Sequence, residues 1–305
     1  MHRRSRARWA APVLLAAVVT AGSATPAVAA PSDQSSEQAP RSYVSLGDSY
    51  AAGPLVPVQT GEPVGCLRST RNYPSVVAET LGVADFRDVS CSAATSEHLT
   101  GPQNVPLGVN PPQLDALEAD TELVTVTIGG NDIGFGDIIS ECARRSPLQP
   151  TGSACADFYT SGGTDELAQR IDEAAPQIAG VLDAVAQRSP DAQVLLVGYP
   201  AILPDEGPGC FPVVPFSPGD VAYLRGVEKA LNAMLSDEAS GAGVDFVDTY
   251  TPSIGHDVCQ VPGTKWIEGL VPTAPAAPVH PNALGMAGIG AVVAEAVTDT
   301  AVLAG

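Results

Sequence analysis

No two cysteines in the chain stand at CxxC spacing, so a zinc knuckle is not expected. The N-terminal apolar run APVLLAAVV is too short to cross a bilayer, so no stable membrane anchor is expected either. Basic residues are scarce: 15 Lys and Arg stand against 34 Asp and Glu, a formal charge of −19. That surface repels polyanions, which speaks against nucleic acid or an anionic membrane as a standing partner, and its bland account is solubility. The glycine-rich GGNDIGFG lacks both the lysine of a P-loop and the strand-GxGxxG-helix spacing, so it is not read as a nucleotide loop. There is no internal repeat, and no domain linker after residue 42. Histidine is scarce as well: beyond the N-terminal segment only His98, His256 and His280 remain.

What is present begins with an export pattern. MHRRSRARW supplies positive charge, the short apolar run follows, and small residues around Ala27 and Ala29 offer a cleavage site, so residues 1–29 read as a secretory signal peptide. Its removal, with four arginines and no acid, takes the formal charge from −19 to −23. Residues 30–42 then form a flexible polar leader, and residues 43–305 form a single domain. Six cysteines lie in that domain, and an even count in an oxidising compartment favours three disulfides, with fifteen connectivities open. If sequence neighbours pair, the bridges are Cys66–Cys91, Cys142–Cys155 and Cys210–Cys259, each pinning a long loop.

Strand and helix patterns alternate from residue 43. YVSLGD (43–48), FRDVSC (86–91), ELVTVTIGG (122–130), AQVLLVGYP (192–200) and GVDFVDTY (243–250) read as strands, several with the continuous apolar character of strands buried on both faces. Segments 73–82, 164–189, 217–239 and 282–300 read as helices, the second capped by Thr164 and kinked at Pro176. Five strands separated by helices imply one parallel, doubly wound α/β domain. Long irregular stretches at 53–72, 93–121, 141–163, 201–216 and 250–281 are expected to be functional or cross-linked.

In an open parallel sheet, ligands sit beyond the carboxyl ends of the strands. Ser49 follows the first strand, Ala93 the second and Asn131 the third, while the segment after the fifth leads to His280. A serine hydroxyl is a weak nucleophile until a histidine takes its proton, and developing negative charge on a carbonyl oxygen needs fixed donors. The backbone N–H groups of Ser49 and Ala93 and the Asn131 amide are such donors. Taken singly, Ser49 is a turn serine, Asn131 a turn asparagine and His280 a surface or capping histidine; their convergence at one sheet edge is what favours chemistry.

The blocks GDSYAAG, GGND and VHPNALG resemble blocks I, III and V of the SGNH (GDSL) hydrolases, and the likeness runs from about residue 43 to about residue 300. It is similar in particular to the secreted, disulfide-bridged lipases and esterases of actinomycetes. The resemblance implies a three-layer α/β/α sandwich on a flavodoxin-like parallel five-stranded sheet. It also implies Ser49 as nucleophile, His280 as base, an oxyanion hole from Ser49, Ala93 and Asn131, and no metal or other cofactor. The expected activity is that of a secreted monomeric esterase or lipase acting on lipid or small-molecule esters. The alternatives are a phospholipase A, a carbohydrate acetyl esterase, or a binding protein that has kept the scaffold without turnover.

Two departures from the family pattern matter. Ala93 stands where block II carries glycine, which is harmless to an N–H donor unless the backbone there requires positive φ. AlaProValHis (277–280) stands where the family usually has DxxH, so no carboxylate lies three residues before His280. The backbone carbonyl of Ala277 is the expected partner of the imidazole, with Asp248 or Asp257 reaching across as the other option. Among the remaining residues, Asp48 is expected to bond nearby backbone, His98 to lie on a surface loop without a role, and His256 to be a hydrogen-bonded residue of the Cys210 loop. Trp266 and the PVVPF and GLVP stretches are read either as acyl-pocket lining or as packed loop.

Overall fold

The structure is a computed structural model that describes residues 39–304 together with Ala10. Ala10 apart, the expected signal segment 1–29 and the leader up to residue 38 lie outside the described residues.

Five strands form one parallel sheet: β1 (Ser42–Gly47), β2 (Asp85–Asp88), β3 (Leu123–Thr127), β4 (Gln193–Val197) and β5 (Asp245–Val247). Their order is β2-β1-β3-β4-β5, the flavodoxin-like arrangement in which the strand sequence reverses beside β1. Val44 of β1 lies opposite Val124 of β3, which lies opposite Val194 of β4. The period-two alternation of a strand then sorts the side chains into two cores. Val44, Leu46, Val124, Val126, Val194 and Leu196 pack on one face, with Ile178 and Leu182 of helix α5 (Glu166–Arg188) and Leu231 and Leu235 of α6 (Pro218–Ala242). Tyr43, Leu123, Leu195, Val197 and Val247 pack on the other, with Tyr73 and Val77 of α2 (Tyr73–Leu81) and Met286, Ile289 and Val293 of α7 (Ala283–Ala304). Each fully buried aliphatic side chain contributes about 1.5–3 kcal/mol, so these runs, rather than the acidic surface, hold the three layers together.

The remaining labelled helices are α1 (Ser49–Ala52), α3 (Phe135–Arg145) and α4 (Ala154–Thr160). The last two correct the expectation of an irregular stretch over 141–163. In α3, Ile138 and Cys142 stand four residues apart and both are buried, the spacing of a helix face. The cap of α5 is Asp165 rather than Thr164, its carboxylate accepting the N–H groups of Leu167 (2.9 Å) and Ala168 (3.3 Å). Two short antiparallel ribbons also interrupt stretches expected to be irregular: Gln59–Thr60 with Arg68–Ser69, and Gln103–Val105 with Gly108–Asn110.

The structure pairs Cys66 with Cys91, Cys142 with Cys155 and Cys210 with Cys259. The first ties the loop after α1 to the exit of β2, the second joins α3 to α4, and the third joins the loops that follow β4 and β5. Among the described residues, no helix is long and apolar enough to cross a membrane.

Candidate active site

The end of β1 must turn sharply to leave the sheet, and Gly47 makes that possible. At φ 151° a Cβ there would stand 2.6 Å from the Thr127 carbonyl oxygen. The Gln113 amide clamps the same glycine from both sides, accepting its N–H at 2.7 Å and donating to its carbonyl at 2.9 Å. Asp48 follows as the cap of α1, one carboxylate oxygen accepting the Tyr50 N–H (2.8 Å) and the other the Tyr199 hydroxyl (2.6 Å). Burial raises the Asp48 carboxyl to about 7, against the pull of those two hydrogen bonds. Asp48 is therefore an anchor of the turn. Ser49 opens the four-residue helix, 8% exposed.

His280 arrives from the far end of the chain. Its Nε2 lies 2.7 Å from Ser49 Oγ, and its Nδ1 lies 2.7 Å from the carbonyl oxygen of Pro278. A carbonyl can only accept, so in the neutral ring Nδ1 carries the proton and Nε2 is left as the acceptor facing the serine hydroxyl. The carbonyl expected in this role was that of Ala277, and the structure corrects it. Val279 adopts φ 59°, and the Ala277 carbonyl is occupied by the His280 backbone N–H at 3.3 Å. The turn thereby leaves Pro278, two residues before the histidine, facing the ring. Neither acid considered as a partner reaches it. Asp248 accepts the Tyr250 and Thr251 N–H groups, and Asp257 accepts from Cys259 and Gln260. Burial lowers the His280 pKa, with the Pro278 carbonyl opposing the shift.

Aromatic rings wall the histidine. The Tyr50 ring centroid lies 5.0 Å from the imidazole and that of Phe135 6.4 Å, while Tyr199 stands edge-on to Tyr50. The Tyr50 hydroxyl donates to the Val279 carbonyl at 2.7 Å, and Ala277 N–H donates to the Pro54 carbonyl at 2.9 Å. The chain just after the serine thus holds the turn that carries the histidine. Sequence reading missed Tyr50, Tyr199 and Gln113 because each acts on a residue distant in sequence.

The expected oxyanion donors sit on neighbouring loops. Among the described residues, the N–H groups of Ser49 and Ala93 have no acceptor. Asn131 Nδ2 donates one hydrogen to the Ala94 carbonyl at 2.8 Å, which ties its loop to Ala93's and leaves its second hydrogen unspent. Asp132 fastens the same two loops by accepting the Ser96 N–H at 2.9 Å. Ala93 is at φ 63°, so the backbone does require the left-handed conformation that glycine takes readily.

Beside Ser49 and Asn131 opens a cavity with about 630 Å³ of empty space, part of it open to solvent. Phe135, Ile138 and Ile139, Ile202 and Leu203, and Leu224 and Leu231 form an apolar part of its wall, with Glu228 set among them. Trp266 is not part of it: the indole stacks on His256 at 4.6 Å and packs closely against Gly288 of α7. Of the PVVPF stretch, Val214 and Phe216 are buried in the core and Val213 is exposed, while Val271 of GLVP is exposed. His256 is half-buried, with Nδ1 2.6 Å from the Thr264 carbonyl. His98 lies in a short helix (Glu97–Thr100) and Nδ1 accepts the Thr95 N–H at 3.0 Å. Among the described residues, no group of three or more His, Cys, Asp or Glu side chains is placed to hold a metal ion.

The model of the GDSL-like lipase/acylhydrolase family matches residues 45–287. Lipase 2 of Streptomyces coelicolor is 42% identical over 247 residues, covering 80% of this chain and 81% of that protein. A lipase of Streptomyces rimosus is 30% identical over 287 residues, covering 93% and 95%. Among solved structures, phospholipase A1 from Streptomyces albidoflavus superposes with a TM-score of 0.70 at 26% identity, over 85% of this chain and 99% of that one. The extracellular lipase from Streptomyces rimosus gives 0.66 at 28% identity, over 84% and 98%.

Proposed function

The chain belongs to the GDSL-like lipase/acylhydrolase family and is an ester hydrolase, and we propose that it cleaves lipid carboxylic esters with Ser49 as nucleophile and His280 as base. The observation that carries this reading is the 2.7 Å approach of His280 Nε2 to Ser49 Oγ, with Nδ1 engaged by a carbonyl that fixes the tautomer. His280 takes the hydroxyl proton as Ser49 Oγ bonds to the ester carbonyl carbon. The oxyanion is met by the N–H groups of Ser49 and Ala93 and the second hydrogen of the Asn131 amide. Collapse of the tetrahedral intermediate breaks the bond to the alcohol oxygen, which receives the proton from His280. Water, deprotonated by the same nitrogen, then releases the acid and restores the serine.

The apolar cavity beside Ser49 supports an acyl chain longer than acetyl as the group transferred, where a carbohydrate deacetylase would want a small polar site. The export pattern of residues 1–29 and the three disulfides support a secreted enzyme. Hydrolysis of short- and long-chain p-nitrophenyl esters by wild type and Ser49→Ala tests the assignment. Removing the nucleophile is expected to lower kcat by about 10⁴-fold or more. Equal turnover by the two proteins, or no adduct at Ser49 with an organophosphonate, would overturn it.

A further inference from the structure

The stripe that α6 turns toward the cavity is Leu224, Val227, Glu228 and Leu231, so one carboxyl sits on a wall that is otherwise aliphatic. Glu228 is 7% exposed. Burying a carboxyl among alkyl groups is costly unless its hydrogen-bonding capacity is met, and here it is met only in part. Both carboxyl oxygens share a single donor, the Ile202 N–H, at 3.0 and 3.3 Å. An ionised carboxylate has room for several further donors, and a neutral carboxyl has an O–H that needs an acceptor. Burial pushes the Glu228 pKa well above the ordinary carboxylate range, which favours the neutral form.

None of the neighbouring polar groups answers it. The Tyr50, Tyr199 and Tyr250 hydroxyls donate to the Val279 carbonyl, Asp48 and Asp205, and none of them is hydrogen-bonded to Glu228. Lys229, next along the helix, is half exposed and pairs with Asp205. A polar group buried in a binding cavity and left partly unpaired discriminates among ligands. It disfavours a chain that offers only hydrocarbon and favours one that brings its own hydrogen-bonding group. A chain hydroxyl both donates and accepts, so it suits the carboxyl in either protonation state.

We propose that Glu228 makes the cavity selective for acyl chains that carry a hydroxyl group, the carboxyl pairing with that hydroxyl when the ester is seated at Ser49. This rests on the reading that the cavity holds the acyl group of the ester cleaved there. A carboxyl placed only to satisfy Ile202 would need no further capacity, and a glutamine would serve as well.

The experiment compares kcat/KM for p-nitrophenyl dodecanoate with that for its mid-chain and terminal monohydroxy derivatives, read as a ratio within each protein so that a change in overall activity cancels. Wild type is expected to favour at least one hydroxylated isomer by about 10-fold. Glu228→Leu abolishes that preference, and Glu228→Gln, whose amide still donates and accepts, retains part of it. The inference is overturned if wild type favours no hydroxylated isomer, or if Glu228→Leu keeps the same ratio. A flat ratio in a wild type that Ser49→Ala inactivates defeats the inference alone, whereas full activity in Ser49→Ala defeats the reading beneath it.

Discussion

Replacing Ala93 by glycine is expected to raise the stability of this protein and leave its activity almost unchanged. Ala93 sits at φ 63° and is solvent-exposed, so its methyl group contributes a steric cost and no burial. For an L-residue the left-handed region costs about 1–2 kcal/mol through the approach of Cβ to the following carbonyl. Glycine removes that cost but loses about 0.4–1 kcal/mol through the greater freedom of its unfolded chain. The difference favours glycine by up to about 1.6 kcal/mol, and at about 2–4 °C per kcal/mol for a domain of this size the melting temperature rises by up to about 6 °C. The N–H of residue 93 keeps its position, so kcat/KM on a p-nitrophenyl ester should change by less than about 2-fold, because an oxyanion donor acts through its placement alone. Scanning calorimetry with all three disulfides intact, run beside the ester assay, reads both quantities. A fall in melting temperature would refute the steric argument. A large fall in kcat with the fold intact would mean that the methyl group itself shapes the oxyanion hole.

Two further expectations concern the histidine. Tyr50→Phe removes the donor to the buried Val279 carbonyl and should cost about 1–3 kcal/mol of stability. It should also lower kcat by about 10-fold with KM within about 2-fold, since the ring that lines the cavity remains while the turn carrying the base loosens; lost stability with unchanged kcat would make Tyr50 a residue of the fold alone. Because burial lowers the His280 pKa and hydrolysis needs the neutral ring, the acid limb of kcat/KM should lie below that of an exposed imidazole, and a midpoint above it would contradict the geometry. The same shift favours the folded state above the unfolded imidazole's pKa and loses that contribution as pH falls. Asp48 acts in the opposite sense, its contribution disappearing as pH rises through about 7.

The three central strands β1, β3 and β4 were legible because each is a short run buried along almost its whole length, and Val124 and Leu195 announce that burial without help from distant residues. Helix α3 was not. Its start, GGNDIGFG, carries the glycines of a loop, and the buried pair Ile138 and Cys142 is too short a pattern to outweigh them. Ser49, Asn131 and His280 could be singled out because the topology sends strand ends to one edge, which puts three sequence-distant segments together. What the imidazole bonds could not be read in the same way. Ala277 and Pro278 both offer carbonyls, and the choice between them is made by the left-handed Val279 and by Tyr50, reaching across 229 residues of chain.

In the proposed mechanism, that choice also explains how the site works without an acid at position 277. A carboxylate partner would fix the imidazole tautomer and stabilise the positive ring that forms during attack. The Pro278 carbonyl performs the first task completely and the second only as a dipole. It does so without a second charge that would have to be desolvated beside the cavity. A lowered pKa keeps the ring neutral and available, at the cost of a weaker pull on the serine proton, about 1.4 kcal/mol for each unit. In the proposed mechanism the remaining stabilisation comes from the unspent donors of Ser49, Ala93 and Asn131, which would face charge only when it develops. Placement has to be tight for so spare a set of groups to work. Tyr50 and Pro54, the residues just beyond the serine, grip Val279 and Ala277, so Ser49 and His280 belong to one hydrogen-bonded unit although 231 residues separate them in sequence.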